Sequence, residues 1–278
     1  MATKAQKTDE LDAVSSRPRN LAAFVETVEN QGSLFFTREQ ALSALGVSDN
    51  AFKKAAIRLG AKKRIFSPRR GFFVIVPPEH RKTGSMPPTW YIDDMMKYHG
   101  QPYYIGLLSA AAFHGAKKHR PQEFQVITGA PVRLALSKKS RIRFFTKRHL
   151  EQTPAIEVKS PTGTVRVSSV EATVIDLVRY MESIGNLDKL VSVISDLCCK
   201  LDGERLLQAA QAEVEVSCIR RLGYLLDLAG GEQVSGPLAT WLSEQRPRAV
   251  ALRPDRDVNN SPIDSKWLVH INESMEKK

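Results

Sequence analysis

Between residues 21 and 61 the apolar positions recur at three- and four-residue spacing, the period of helices with one buried face. Leu21, Phe24, Val25 and Val28 predict a first helix ending near Gly32. In FFTREQALSALG, Thr37 with Gln40 three residues later has the capping-box pattern, Ala41, Leu42 and Leu45 form the apolar face, and Gly46 suits a left-handed stop. A third helix follows at once, with Ser48 as its N-cap and Gly60 as its expected stop. Phe52, Ala55, Ala56 and Leu59 share its buried face, which leaves Asp49, Asn50, Lys53 and Ile57 outward, with Lys54 and Arg58 at the margin. The period then changes. KRIFS and GFFVIV are β-branched and aromatic runs, and Pro68 and Gly71 in SPRRG predict a hairpin turn between them. Two short helices joined by Gly46-Val47-Ser48, then a basic-tipped hairpin, predict a winged helix-turn-helix over residues 19–76.

Residues 77–88, PPEHRKTGSMPP, read as a Pro-rich linker. Beyond it WYIDDMMKYHG reads as a helix, and YYIGLLSAAAFHG as a second one, apolar nearly all round. EFQVIT, VRLAL, RIRFFT, AIEVKS and TVRVSS are strand candidates, the last two a hairpin around Pro161-Thr162-Gly163. Ser168 and Glu171 open a helix with a second capping box. Residues 187–229 are mostly helical, GPLATWLSE is a short helix and WLVHIN a strand. Strands mixed with helices without strict alternation predict an α+β fold: a winged helix-turn-helix, then a larger mixed α+β domain over 89–278, with residues 1–18 a polar tail.

Composition sharpens this picture at one point. The net charge of +11 favours an anionic partner, nucleic acid being the commonest. The excess is clustered: residues 53–82 hold ten Lys or Arg against Glu79 alone, and residues 117–148 ten more against Glu123 alone. Residues 168–245 lean acidic instead. No apolar run approaches the roughly 20 residues of a membrane span, and MATKAQKTDELDAVSS lacks the apolar core of a secretion signal. The three cysteines, Cys198, Cys199 and Cys218, have no zinc-ligand spacing and read as reduced core residues of a cytoplasmic protein.

On a recognition helix the N-terminal half and outward face meet the major groove. Asn50 can pair with adenine and Lys53 with guanine. Ser48 and the free N–H groups at the helix start suit a phosphate. Lys54, Arg58, Lys62, Lys63 and Arg64 read as phosphate contacts, and Arg69 and Arg70 as a wing tip that meets phosphate or the minor groove. Each charge taken singly reads equally well as a solvated side chain; it is the cluster that favours DNA.

Other chemistry is thinner. Glu157-Val158-Lys159 resembles half of a nuclease metal site, but no Asp at suitable spacing completes it, and a solvent-facing strand is the plainer reading. His114 and His119 are five apart with Gly115 between, which is not the spacing of a helical ligand pair. Asp93 and Asp94 point different ways on a helix, so favourable charge at its N-terminal end is the simpler role. There is no phosphate loop, dinucleotide fingerprint or nucleophile elbow, and no cofactor is expected.

In YIDDMMKYHGQPYYIGLLSAAAFHGAKKHRPQEFQVIT, then SSVEATVIDLVRY, then NNSPIDSKWLVHIN, the chain resembles the AbiEi antitoxins of bacterial abortive-infection (type IV) toxin–antitoxin systems. The resemblance runs in order over most of residues 20–272 and includes the basic wing. It implies a cytoplasmic, non-catalytic protein that binds and represses its own promoter and counters a nucleotidyltransferase-type toxin. The matching DNA-binding positions are Ser48 to Gly60 and Ser67 to Gly71; no motif marks the toxin-facing residues. Two other readings stay open: a DNA-targeted nuclease of restriction-endonuclease-like fold, and a non-catalytic protein-interaction module.

Overall fold

The computed structural model describes residues 17–133, 141–213 and 215–274. The chain divides into two compact units, the first reaching Pro87 and the second beginning at Pro88. Among the described residues there are ten α-helices and three sheets, a mixed α+β architecture.

The first unit holds α1 (Leu21–Asn30), β1 (Phe35–Thr37), α2 (Arg38–Leu45), α3 (Asp49–Ala61), β2 (Ile65–Arg69) and β3 (Phe72–Ile75). The caps expected from sequence are made. Gln40 N–H donates to the Thr37 hydroxyl, and Thr37 N–H to the Gln40 side chain. Gly46, at φ 63°, ends α2, and the Ser48 hydroxyl accepts from Ala51 N–H to start α3. The strands pair antiparallel in the order β1-β3-β2. A relay of rings, Phe24 on Phe36, Phe36 on Phe73 and Phe73 on Phe52, joins helices to sheet at centroid distances of 5.4, 5.2 and 5.3 Å.

Several local readings change here. Strand β1 is absent from the sequence reading, because three residues carry no usable period and only pairing with β3 defines them. Helix α3 does not stop at Gly60. It runs to Ala61, and the left-handed residue is Lys63, at φ 55°, whose ammonium donates to the Lys82 carbonyl at 2.7 Å. Pro68 is not in the hairpin turn but inside β2, where the register shifts between Phe66 and Arg69. β2 is an edge strand, and a bulge on an edge is where a proline without an N–H fits. The turn is Arg70-Gly71, between Arg69 and its partner Phe72. Of residues 77–88, expected as a linker, those up to Pro87 form a short 3-10 helix at Pro78–His80 and turns and group with the first unit, and Pro88 groups with the second.

The second unit runs α4 (Ile92–Tyr98), β4 (Tyr103–Ile105), α5 (Leu107–Phe113), β5 (Phe124–Thr128), β6 (Ile142–Thr146), β7 (Ala155–Ser160), β8 (Gly163–Ser168), α6 (Val170–Arg179), α7 (Leu187–Cys198), α8 (Gly203–Gln211), α9 (Val216–Leu228), α10 (Glu232–Ser243), β9 (Val250–Ala251), β10 (Ile263–Asp264) and β11 (Val269–His270). Five strands form a mixed sheet in the order β6-β5-β4-β8-β7, and the last three a small sheet ordered β10-β11-β9. The YYI expected to open a helix is instead β4, the central strand, buried at all three residues. Uniform apolarity looks the same in a buried helix and a central strand, and only the antiparallel partner β5 and parallel partner β8 decide between them. Of the strand expected at VRLAL, Leu134 to Leu136 lie outside the described residues, as do Lys138 and Lys139. The cap of α6 is Ser169, one residue later than expected; Ser168 is buried and shares a hydrogen bond with Thr173 at 2.7 Å. α10 begins earlier than expected, at Glu232.

The core of this unit packs α5–α10 against one another and the sheet. Its tightest approach is at Gly223 on α9, where a Cβ would stand 2.1 Å from the Trp267 ring, so no larger residue fits. Asp227 fixes that corner, accepting from Trp267 Nε1, Lys266 Nζ and the Ser235 hydroxyl, each at 2.7 Å. Cys218 sits in this core, its thiol pushed by burial up to about 12, whereas Cys199 is exposed at the end of α7 and is not the core residue expected.

Candidate nucleic-acid interface

Each residue of a helix turns by about 100°. Along α3 this places Asn50, Ile57 and Ala61 in one line, Lys53 and Lys54 on either side of it, and Phe52 and Leu59 opposite, in the core. Asn50, Lys53, Lys54, Ile57 and Arg58 lie on the solvent side of the helix. Among the described residues Lys54 and Arg58 make no ion pair. Lys53 pairs with Asp49 at 2.7 Å, one turn back. The same carboxylate accepts from Arg38 Nε of α2 at 2.8 Å, and these two cations hold Asp49 below the usual carboxylate range, Lys53 contributing most.

Arg38 joins this surface although the sequence reading passed over it. The signal was its position: a cation in the first turn of a helix opposes the helix dipole and needs an anionic partner. Asp49 is that partner, so one acid ties the two helices and steadies the face.

The remaining candidates divide. Lys62 and Arg70 are exposed, Arg70 at the hairpin turn. Arg69 is half-buried, with Nη1 out of solvent and burial lowering its pKa, so the hairpin tip presents one free guanidinium rather than two. Lys63 is tied to the Lys82 carbonyl, and Arg64, with a side chain only 20% exposed, reaches Glu26 at 3.2 Å. Ser48 spends its hydroxyl on the cap of α3. The structure thus brings Asn50, Lys53, Lys54 and Arg58 onto one helix and tethers Lys63 and Arg64 within the unit.

Charges in the second unit are arranged differently. Lys147 Nζ lies 2.9 Å from Asp176 and 3.0 Å from Glu213, with all three side chains buried. Tyr104 donates to the other Asp176 oxygen at 2.8 Å, and Arg179 bridges Glu213 and Glu215. Burial alone would lower the Lys147 ammonium, but the two carboxylates outweigh it and hold it above its ordinary value. Burial raises the Asp176 carboxyl, against the pull of Lys147. None of these residues was a candidate from sequence.

Glu157 and Lys159 are exposed on β7, an edge strand. His114 Nε2 donates to the Ser168 carbonyl at 2.7 Å, while His119 lies 3.6 Å from Asp196. Asp93 accepts from the Tyr103 hydroxyl at 3.0 Å and pairs with Lys97. Among the described residues no three His, Cys, Asp or Glu side chains stand where they could hold a metal ion together. No helix among them is long and apolar enough to cross a membrane.

These features define an α+β protein of two units, the smaller with a cationic helix face and the larger with a buried charge cluster. Residues 104–228 match the family model of the AbiEi antitoxin C-terminal domain, which supports the AbiEi-type resemblance read from the sequence. The matched segment contains most of β4, the central strand, and every residue of the buried cluster. Among solved structures the chain is similar in fold to the crystal structure of the RV2827C protein from Mycobacterium tuberculosis, at 15% identity over 88% of this chain and 89% of that one, with a TM-score of 0.62. No curated protein matches the chain.

Proposed function

We propose that the first unit is a winged helix-turn-helix that binds duplex DNA at the promoter of its own operon and represses it, and that the second unit counters a partner toxin of the nucleotidyltransferase type. The protein acts in the cytoplasm, by binding, without catalysis. The observation that carries the DNA reading is the outward face of α3: Asn50 in one surface line with Ile57, cations to either side and no acid on the helix beyond Asp49, with its opposite face fixed in the core. Phosphate contacts position a protein on the duplex and base contacts specify the sequence. Lys54, Arg58, Lys62 and Arg70 are free for the first task, and Asn50 with Lys53 for the second, Lys53 exchanging Asp49 for a base edge. Ser48 and the start of α3 face a phosphate, Arg69 supports the wing from beneath, and Lys63 and Arg64 add field from their tethered positions. The antitoxin domain over residues 104–228 supports the toxin reading.

Two measurements test this. The purified chain is titrated with duplex from upstream of its own gene and with random duplex across a range of salt. Tighter binding to the first, weakening steeply with salt, is expected; equal affinity for both would overturn autorepression. Separately, the neighbouring toxin gene is expressed with and without this chain. Growth restored by the full chain is expected, and continued arrest removes the antitoxin pairing.

A further inference from the structure

Ile57 has no structural use that the fold reveals. It is 71% exposed, the highest value among the large apolar side chains of the described residues. As a β-branched residue it is a poorer helix former than most, and here it gains no burial to offset that. Single exposed apolar residues are common and need no explanation. Its neighbours are what give this one meaning. Ile57 continues the line begun by Asn50, with Lys53 and Lys54 flanking that line and Arg58 beside it. The spacing i, i+3, i+4, i+7 of Asn50, Lys53, Lys54 and Ile57 is the one that homeodomain recognition helices use to read base edges. An apolar side chain ringed by cations is a poor seat for another protein's apolar patch, because docking there would strand the cations away from water. It is a good seat for a polyanion that carries an apolar group at its centre.

Duplex DNA presents one such group in the major groove, the thymine 5-methyl. We infer that Ile57 is a specificity-determining residue that packs on a thymine methyl in the site bound by this chain. Seven residues separate it from Asn50, roughly 10 Å of helix, or about three base-pair steps. Asn50 then reads an adenine near one end of the contacted stretch and Ile57 a thymine near the other. The inference rests on the DNA-binding reading above and adds to it a position and a base.

The test begins with selection of duplexes from a random pool by the full chain. Each thymine of the selected site is then replaced in turn by deoxyuridine, which lacks only the methyl. At one thymine the wild-type chain should bind about fourfold more weakly, the value of one buried methyl-sized group. Ile57→Ala should bind the thymine site more weakly than the wild type and show no further loss with deoxyuridine there. Ile57→Val, which keeps part of the apolar surface, should fall between. Because Ile57 is exposed, neither variant should unfold the protein, Ile57→Ala being slightly the more stable through its better helix propensity, and thermal unfolding checks this. If no duplex is enriched, the DNA-binding reading itself fails. If a site is enriched but wild type and Ile57→Ala respond alike to deoxyuridine at every position, DNA binding stands and the role of Ile57 is overturned.

Discussion

The two units use the same residue types to opposite ends. On α3, Lys54 and Arg58 stand in water without ion-pair partners among the described residues, and the one acid of that helix, Asp49, is shared between Arg38 and Lys53. In the second unit Lys147 is 7% exposed and Asp176 not at all, and each charge is matched and hydrogen-bonded. A charge left outside costs the fold little and remains available to a ligand. A charge taken inside loses hydration worth several kcal/mol and persists only with close partners, so it serves the structure and not an external anion. Counting lysines therefore says little about function; whether each one has been matched says much more.

The sharpest way to break this comparison is Lys147→Ala. It strands Asp176 and Glu213 in the core and should cost about 3–5 kcal/mol, read from urea unfolding of the full chain followed by a probe in the second unit. Lys54→Ala, on the open face, should change stability by less than about 0.5 kcal/mol in the same assay. Equal costs would show that matching is not what separates the two regions.

The DNA side gives the next largest effect. Replacing Lys54, Arg58 and Arg70 together by Ala should lower the slope of log affinity against log salt by roughly 0.9 for each phosphate left without its cation, on any duplex. Asn50→Ala should cost about 1–3 kcal/mol on the selected site and much less on random DNA. An unchanged salt slope in the first variant would mean that these free cations do not meet phosphate.

A smaller effect sharpens the buried side. Burial works to raise the Asp227 carboxyl, but hydrogen bonds from Lys266, Ser235 and Trp267 outweigh it and hold the pKa below its ordinary value. A lowered carboxylate contributes stability above its unfolded pKa, about 3.9, and the contribution is lost as pH falls through the lower folded value. The second unit should therefore lose stability as pH drops below about 4, and Asp227→Ala should flatten that part of the profile. A variant with the wild-type acid profile would remove Asp227 from that role.

The parts of this arrangement legible in sequence were those written in local chemistry. Thr37 with Gln40, Gly46 and Ser48 announce their caps within four residues of chain, and the structure makes each one. The outward face of α3 followed from Phe52 and Leu59, because a helix that buries those two must expose Asn50 and Ile57. Local chemistry failed where partners lie far away in the chain. Nothing near Tyr103 distinguishes a central strand from a buried helix, and Pro68 reads as a turn until β3 shows that it sits in a bulge.

What the sequence determined alone was the α+β composition, the start and stop of α2 and the start of α3, and which side of α3 carries its charges, since each depends on residues within a turn or two of one another. Tertiary structure alone decided which charges are free. Lys147 and Asp176 are 29 residues apart, Arg64 and Glu26 are 38 apart, and Lys63 reaches the carbonyl of Lys82. Electrostatic pairing depends on distance in space and on exclusion of water, and neither is recorded in the order of residues along the chain.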